Sequence, residues 1–152
     1  MKIKNITMFY HNFFIILVIL FTGCSMTRKL KVNIQAKEEL NCGGNACVVY
    51  VYKLKDNTNF MQTPLDAFWQ NDKKPFADDI IDEELKFQLI PKEIKTPIVV
   101  IPKETNFIGV AADFACIENA GWRKTYSYAV KRKRKIYLTV GYNKVNIEYN
   151  TR

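Results

Sequence analysis

The chain has 152 residues with 23 Lys+Arg against 15 Asp+Glu, a formal net charge of +8, and 48% apolar and 13% aromatic residues. That is one domain's length with a globular apolar share, and six Gly and five Pro leave no room for a collagen-like or Pro-rich repeat. The one histidine, His11, lies within residues 1–23, so a mature chain starting after them would exclude Ser-His-Asp and Cys-His nucleophiles and His-ligated metal sites.

Residues 1–23 open with Lys2 and Lys4, carry no acid, and continue into an apolar run from Phe13 to Phe21. As a helix that run would rise about 13.5 Å, under half of a roughly 30 Å hydrocarbon core. It therefore reads as the h-region of a signal peptide, not as a membrane span. Leu20-Phe21-Thr22-Gly23-Cys24 resembles a bacterial lipobox, in which the cysteine thiol is acylated and the peptide is cut before it; Phe21 stands where Leu is usual. Two or more acyl chains on Cys24, at about 0.8 kcal/mol per buried methylene, suffice for stable anchoring. Ser25 takes the place of the Asp that tends to hold such lipoproteins at the inner membrane, so this resemblance implies the outer membrane, facing the periplasm. Residues 24–29 read as a lipidated tether and 30–152 as the folded domain. An ordinary secretory leader with an incidental cysteine is the plainer alternative.

Strand patterns dominate the domain. Leu30 to Ala36 alternates with one wet face, and Cys47 to Leu54 (CVVYVYKL) is apolar on both faces, as an interior strand is. Between residues 58 and 84 the period changes. Thr63-Pro64 reads as an N-cap and first helical position before Leu65, Phe68 and Trp69, and a second helix is expected near Pro75, with Asp78 and Asp79 in its first turns. Short strands are then expected at Phe87–Ile90 and Ile98–Ile101, each closed by proline, followed by a long one at Phe107–Ile117. Further strands are expected at Lys124–Lys131, around Ile136–Tyr142, and around Val145–Tyr149. About eight short strands with a small helical insert between the second and third imply an all-β sandwich.

With Cys24 acylated, Cys42, Cys47 and Cys116 remain in an oxidising compartment. Cys42-Gly-Gly-Asn-Ala-Cys47 spans a Gly-rich turn short enough for a bridge, which would stiffen an exposed loop, while Cys116 reads as a buried thiol on an apolar strand face. No CxxC motif is present and three cysteines without histidine make a poor zinc set, so neither metal nor cofactor is expected. Lys131 to Lys135 puts five cations between two strands, either a solvated tip or an attraction for anionic headgroups. For a chain facing the periplasm the basic balance implies no nucleic-acid partner. Asp78, Asp79, Asp82, Glu83 and Glu84 read as a solvated cluster rather than a catalytic carboxylate pair, and Trp122-Arg123 as a structural corner.

In this order the segments resemble the outer-membrane lipoprotein of the type VI secretion system, the TssJ family. The carriers are the lipobox at Cys24, the strand Val48 to Lys55 followed by Phe60, and Asp79-Ile80-Ile81 with Glu84 leading to Phe87–Pro91. Ile108-Gly109-Val110-Ala111-Ala112-Asp113-Phe114 and Trp122-Arg123 complete them. Pro91-Lys92, where Pro-Gly is frequent, and the Cys42/Cys47 pair depart from the pattern. The resemblance implies a transthyretin-like sandwich of two four-stranded sheets and a non-enzymatic role. That role is anchoring the trans-envelope complex by binding the periplasmic C-terminal domain of the inner-membrane protein TssM. It also implies that the loop between the first two strands takes part, with Leu40 as apolar anchor and Glu38, Glu39, Asn41 and Asn45 as polar contacts. The alternative is a periplasm-facing lipoprotein that binds a small ligand or acts as an envelope inhibitor or chaperone.

Overall fold

The computed structural model describes residues 28–70, 74–117, 121–131 and 134–149. Residues 1–27, with Cys24 and Ser25, and Arg132 and Lys133 of the basic run lie outside them. Among the described residues nine strands form two sheets. In the first, β1 (Arg28–Ala36) pairs in parallel with β8 (Lys135–Val140), which pairs with β9 (Val145–Glu148). The other side of β1 takes β5 (Ile98–Ile101) along its first half and β4 (Ile94–Lys95) along its second. In effect β4 and β5 are one edge strand broken at Thr96-Pro97, where proline cannot donate to a ladder. The second sheet runs β3-β2-β6-β7, from β3 (Leu85–Leu89), β2 (Cys47–Leu54), β6 (Phe107–Asp113) and β7 (Arg123–Ser127). The two sheets make the expected sandwich, with β4 as the strand too short to show in the sequence.

Alternation explains which faces meet. Leu30, Val32, Ile34 and Ala36 of β1 and Ile136, Leu138 and Val140 of β8 are buried against Val49, Val51, Ile108, Val110 and Ala112 of the second sheet. The opposite face of that second sheet is covered by the insert, which is why β2 is apolar on both sides. Tyr52 and Leu54 there meet Phe60 of α1 (Thr58–Gln62), Phe68 of α2 (Leu65–Gln70), and Phe76, with ring centroids from Tyr52 of 5.5 to 6.2 Å. Gly109 of β6 is required by this layer: a Cβ there would lie 2.9 Å from Leu54 Cδ1 and 3.0 Å from Phe60 Cζ.

Four local expectations need correction. The β6 strand ends at Asp113, opposite Val48 near the start of β2, where the ladder among the described residues runs out. For the same reason β7 stops at Ser127, opposite Phe107, and Tyr128–Lys131 turns into α3, held by an Ala129 N–H donating to Asn106 O at 3.0 Å. The helix expected near Pro75 is only a 3-10 turn, Ala77–Asp79, since Ile80 is drawn into a bridge with Leu54. Thr63 does not cap α2 with its hydroxyl, which instead donates to Asn59 O at 2.6 Å and closes α1.

The N-terminal boundary also shifts. Arg28 and Lys29 pair with Ile101 and Val100, so they belong to the ladder and not to the tether.

Candidate functional site

The ladder order gives the sandwich two unlike ends. At one lie the starts of β1, β8 and β6 and the end of β5; at the other lie the ends of β1, β6 and β8 and the β1–β2 connection. Because β1 and β2 belong to different sheets, residues 37–46 cross from sheet to sheet and are not a hairpin. The crossing is made by a run of positive φ: Asn41 47°, Cys42 66°, Gly43 108° and Gly44 100°. Only glycine adopts that region freely, and each non-glycine residue there costs about 1–2 kcal/mol, so Asn41 and Cys42 require restraint from outside.

That restraint comes from two neighbouring segments. Cys42 is disulfide-bonded to Cys116, with Cα atoms 5.9 Å apart, in the segment that follows β6. The Asn41 carboxamide accepts from the Ala115 N–H at 2.7 Å and donates to Ala46 O. The Cys42 N–H donates to Tyr142 O at 2.8 Å and the Asn41 N–H to Gly141 O at 3.3 Å, tying the crossing to the β8–β9 turn.

This geometry overturns the Cys42–Cys47 bridge. The left-handed run turns Cys42 toward the end of β6, while Cys47 opens β2 and is buried as a free thiol. Cys116 is therefore bonded, not a buried thiol. Burial, and next the charge of Asp113, push the Cys47 thiol up to about 12. Its sulfur lies 3.4 Å from Asp113 O. It borders a shallow hollow of about 300 Å³ with Asn41, Val48, Gln88 and Asp113.

Of the five loop residues expected to meet a partner, Leu40 and Asn41 are buried at 0% and 6% exposure. Leu40 plugs the end of the core and Asn41 spends its amide on the crossing itself. Glu38, Glu39 and Asn45 are exposed. Glu38 is paired with Lys92 at 2.7 Å, and the Asn45 side chain donates to Asn41 O at 3.1 Å. Apolar groups that reach solvent at this end include Ile90 (56% exposed), Tyr142 (47%) and Ile94 (60%), which pairs with Gln35 near the end of β1. Neither Ile90 nor Tyr142 was legible as a contact: Tyr142 reads as the last inward residue of a strand, and only knowing which turn backs the crossing would have marked it.

The remaining candidates are structural. Arg123 reaches no acid among the described residues; its guanidinium donates to Thr63 O at 2.5 Å and to Met61 O and stacks 4.5 Å from the Trp122 ring, pinning the insert to β7. Asp82 pairs with Lys53 at 2.5 Å, and Glu84 takes both Lys74 and Lys86, so these members of the acidic cluster are neutralised in place. Among the described residues no group of three metal-ligating side chains comes together.

Residues 28–146 match the family described as "Type VI secretion lipoprotein, VasD, EvfM, TssJ". No curated protein matches the chain. Among solved structures, it is similar to the type VI lipoprotein TssJ1 from Pseudomonas aeruginosa (TM-score 0.74, 20% identity, covering 83% of this chain and 98% of that one). Serratia marcescens Lip, described as a membrane-bound component of the type VI secretion system, is similar at TM-score 0.69 and 15% identity, covering 80% and 97%. A chain in a structure described as "T6SS protein TssM C-terminal domain (869-1107) from EAEC" is similar at TM-score 0.66 and 26% identity, covering 78% and 99%.

Proposed function

The chain belongs to the type VI secretion lipoprotein family, the TssJ family, and from that membership we propose that it fastens a type VI trans-envelope complex to the outer membrane. Acyl chains on Cys24 hold it there with its domain facing the periplasm, and Ser25 permits that sorting. The domain's far end binds the periplasmic C-terminal domain of a TssM-like inner-membrane protein. The role is mechanical and non-enzymatic.

The observation that carries this reading is the cross-linked rim formed by residues 37–46, 114–117 and 141–144. Its backbone is fixed before any partner arrives, which lowers the entropy lost on binding. It presents Glu38, Glu39 and Asn45 for polar contact, with Ile90 and Tyr142 replacing Leu40 as apolar anchors. A second support is the structure named for the TssM C-terminal domain. This 152-residue chain covers 99% of the matched chain with 78% of itself, so that chain is far shorter than the segment 869–1107 for which the structure is named. The continuous cluster of fully buried apolar side chains between the sheets weighs against a carrier of apolar ligands.

The test is capture of the TssM-like periplasmic domain by a soluble form lacking residues 1–24. Capture is expected, with Glu39→Lys combined with Tyr142→Ala weakening it about tenfold or more; no capture refutes the partner. Cys24→Ser should release the full chain from membranes, and persistent membrane association refutes the anchor.

A further inference from the structure

At the anchored end, the outer face of three adjacent strands forms a surface of unusual composition. The register puts Val100 beside Lys29 and Ile98 beside Lys31 across β5 and β1. Lys31 in turn lies beside Lys135 across β1 and β8, with Tyr137 next along β8. Alternation sends all of these away from the core, whose side is taken by Leu30, Val99, Ile101 and Ile136. Ile98 is 64% and Val100 49% exposed, a costly placement for aliphatic groups in water. Among the described residues no ion pair engages Arg28, Lys29, Lys31, Arg134 or Lys135. The described acids adjoining these strands are Glu104, exposed on the loop after β5, and Glu148, opposite Tyr137.

We propose that this β5–β1–β8 face lies against an anionic phospholipid surface and sets the orientation of the domain on the membrane. The inference rests on the acyl anchor at Cys24. From Cys24 to Arg28, where β1 begins, an extended chain reaches only about 14 Å. The lysines of β1 are therefore delivered to headgroup level by the anchor itself. Exposed aliphatics, lysines with long apolar stems and a tyrosine suit such an interface: stems and rings enter the headgroup layer while the ammonium groups meet phosphate. Nine residues of β1 place the cross-linked rim about 30 Å along the strands from this patch, beyond the edge of the lipid-facing surface.

The acylated full chain, reconstituted into neutral phosphatidylcholine vesicles or vesicles also containing phosphatidylglycerol, provides the test. Flotation is scored first, then labelling of lysines by a water-soluble amine reagent. Lys29, Lys31 and Lys135 are expected to label on the order of threefold more slowly on the anionic vesicles, with Lys37, Lys92 and Lys144 unchanged, and high salt should narrow the gap. The variant Lys29→Glu/Lys31→Glu should still float but lose the protection at Lys135. A chain that floats with equal labelling on both vesicle types overturns this face and leaves the anchor standing. Shielding that requires the soluble partner domain instead of anionic lipid makes the face a protein interface and also overturns it. Failure to float on either vesicle overturns the anchor and this face together.

Discussion

The two ends of the sandwich solve different problems. At the far end a left-handed crossing is locked by a disulfide, an asparagine amide and the backbone of the β8–β9 turn. At the opposite end, where β1 begins and the proposed anchor would lie, strands simply begin and stop, exposing lysines and aliphatic side chains, with no cross-link among the described residues. Fixed backbone suits recognition of one protein surface, whereas loosely arrayed charge and apolar area suit a surface with no fixed pattern. On the proposed reading, rigidity sits at the end that meets the partner and not at the end that follows the lipid anchor.

Breaking the clamp should give the largest effect. The bridge closes a sequence separation of 74 residues, so Cys42→Ser or Cys116→Ser should each cost about 4 kcal/mol in urea unfolding. A comparable loss from Cys47→Ser would refute the pairing. Leu40→Ala, beneath the same rim, should cost about 2–5 kcal/mol because it empties a fully buried site; a near-neutral result would restore Leu40 to the surface. Gly109→Ala, in the layer between insert and β6, should cost about 1–3 kcal/mol by overpacking Phe60. It should alter neither partner capture nor vesicle shielding beyond that loss, and so serves as a control for both ends.

Two smaller effects come from ionisation. Cys47 goes from an ordinary 9.0 to about 12 on folding, so the fold favours the neutral thiol. That stability is complete below about pH 9 and is lost as pH rises from there toward 12. Cys47→Ala should flatten the alkaline limb of the urea midpoint, and the native thiol should resist alkylation until denaturant is added. Glu84 behaves oppositely. Its burial works to raise its pKa, but hydrogen bonds from Lys74 and Lys86 outweigh that and hold it below the usual 4.5. Its contribution is present above that value and is lost as pH falls through the folded pKa. Glu84→Gln should slightly flatten the acid limb while leaving both ends of the molecule as they were.

Much of the framework was legible because alternation is a local signal. Leu30 to Ala36 and Cys47 to Leu54 declare their faces directly, and Phe60, Phe68 and Phe76 account for the second apolar face of β2. The site was less legible because its contacts are not local. Cys42 and Cys47 are close in sequence, yet the crossing between sheets sends them to different neighbours. Leu40, alone among polar residues, reads as an exposed anchor until the open end of a sandwich is seen to need a plug. The ends of β6 and β7 are set by where their partners stop, which no property of Phe114 or Tyr128 announces. Asn41-Cys42-Gly43-Gly44 did carry one usable sign, since asparagine and glycine favour left-handed backbone.

The division of labour between the two ends is decided by hydrogen exchange on the membrane-anchored chain, with and without the TssM-like periplasmic domain. Partner binding is expected to slow exchange in residues 37–46 and 141–145 and to leave 98–103 and 128–131 unchanged. Protection confined to the anchored end or to the helical insert would show that the rim is not where the partner is held.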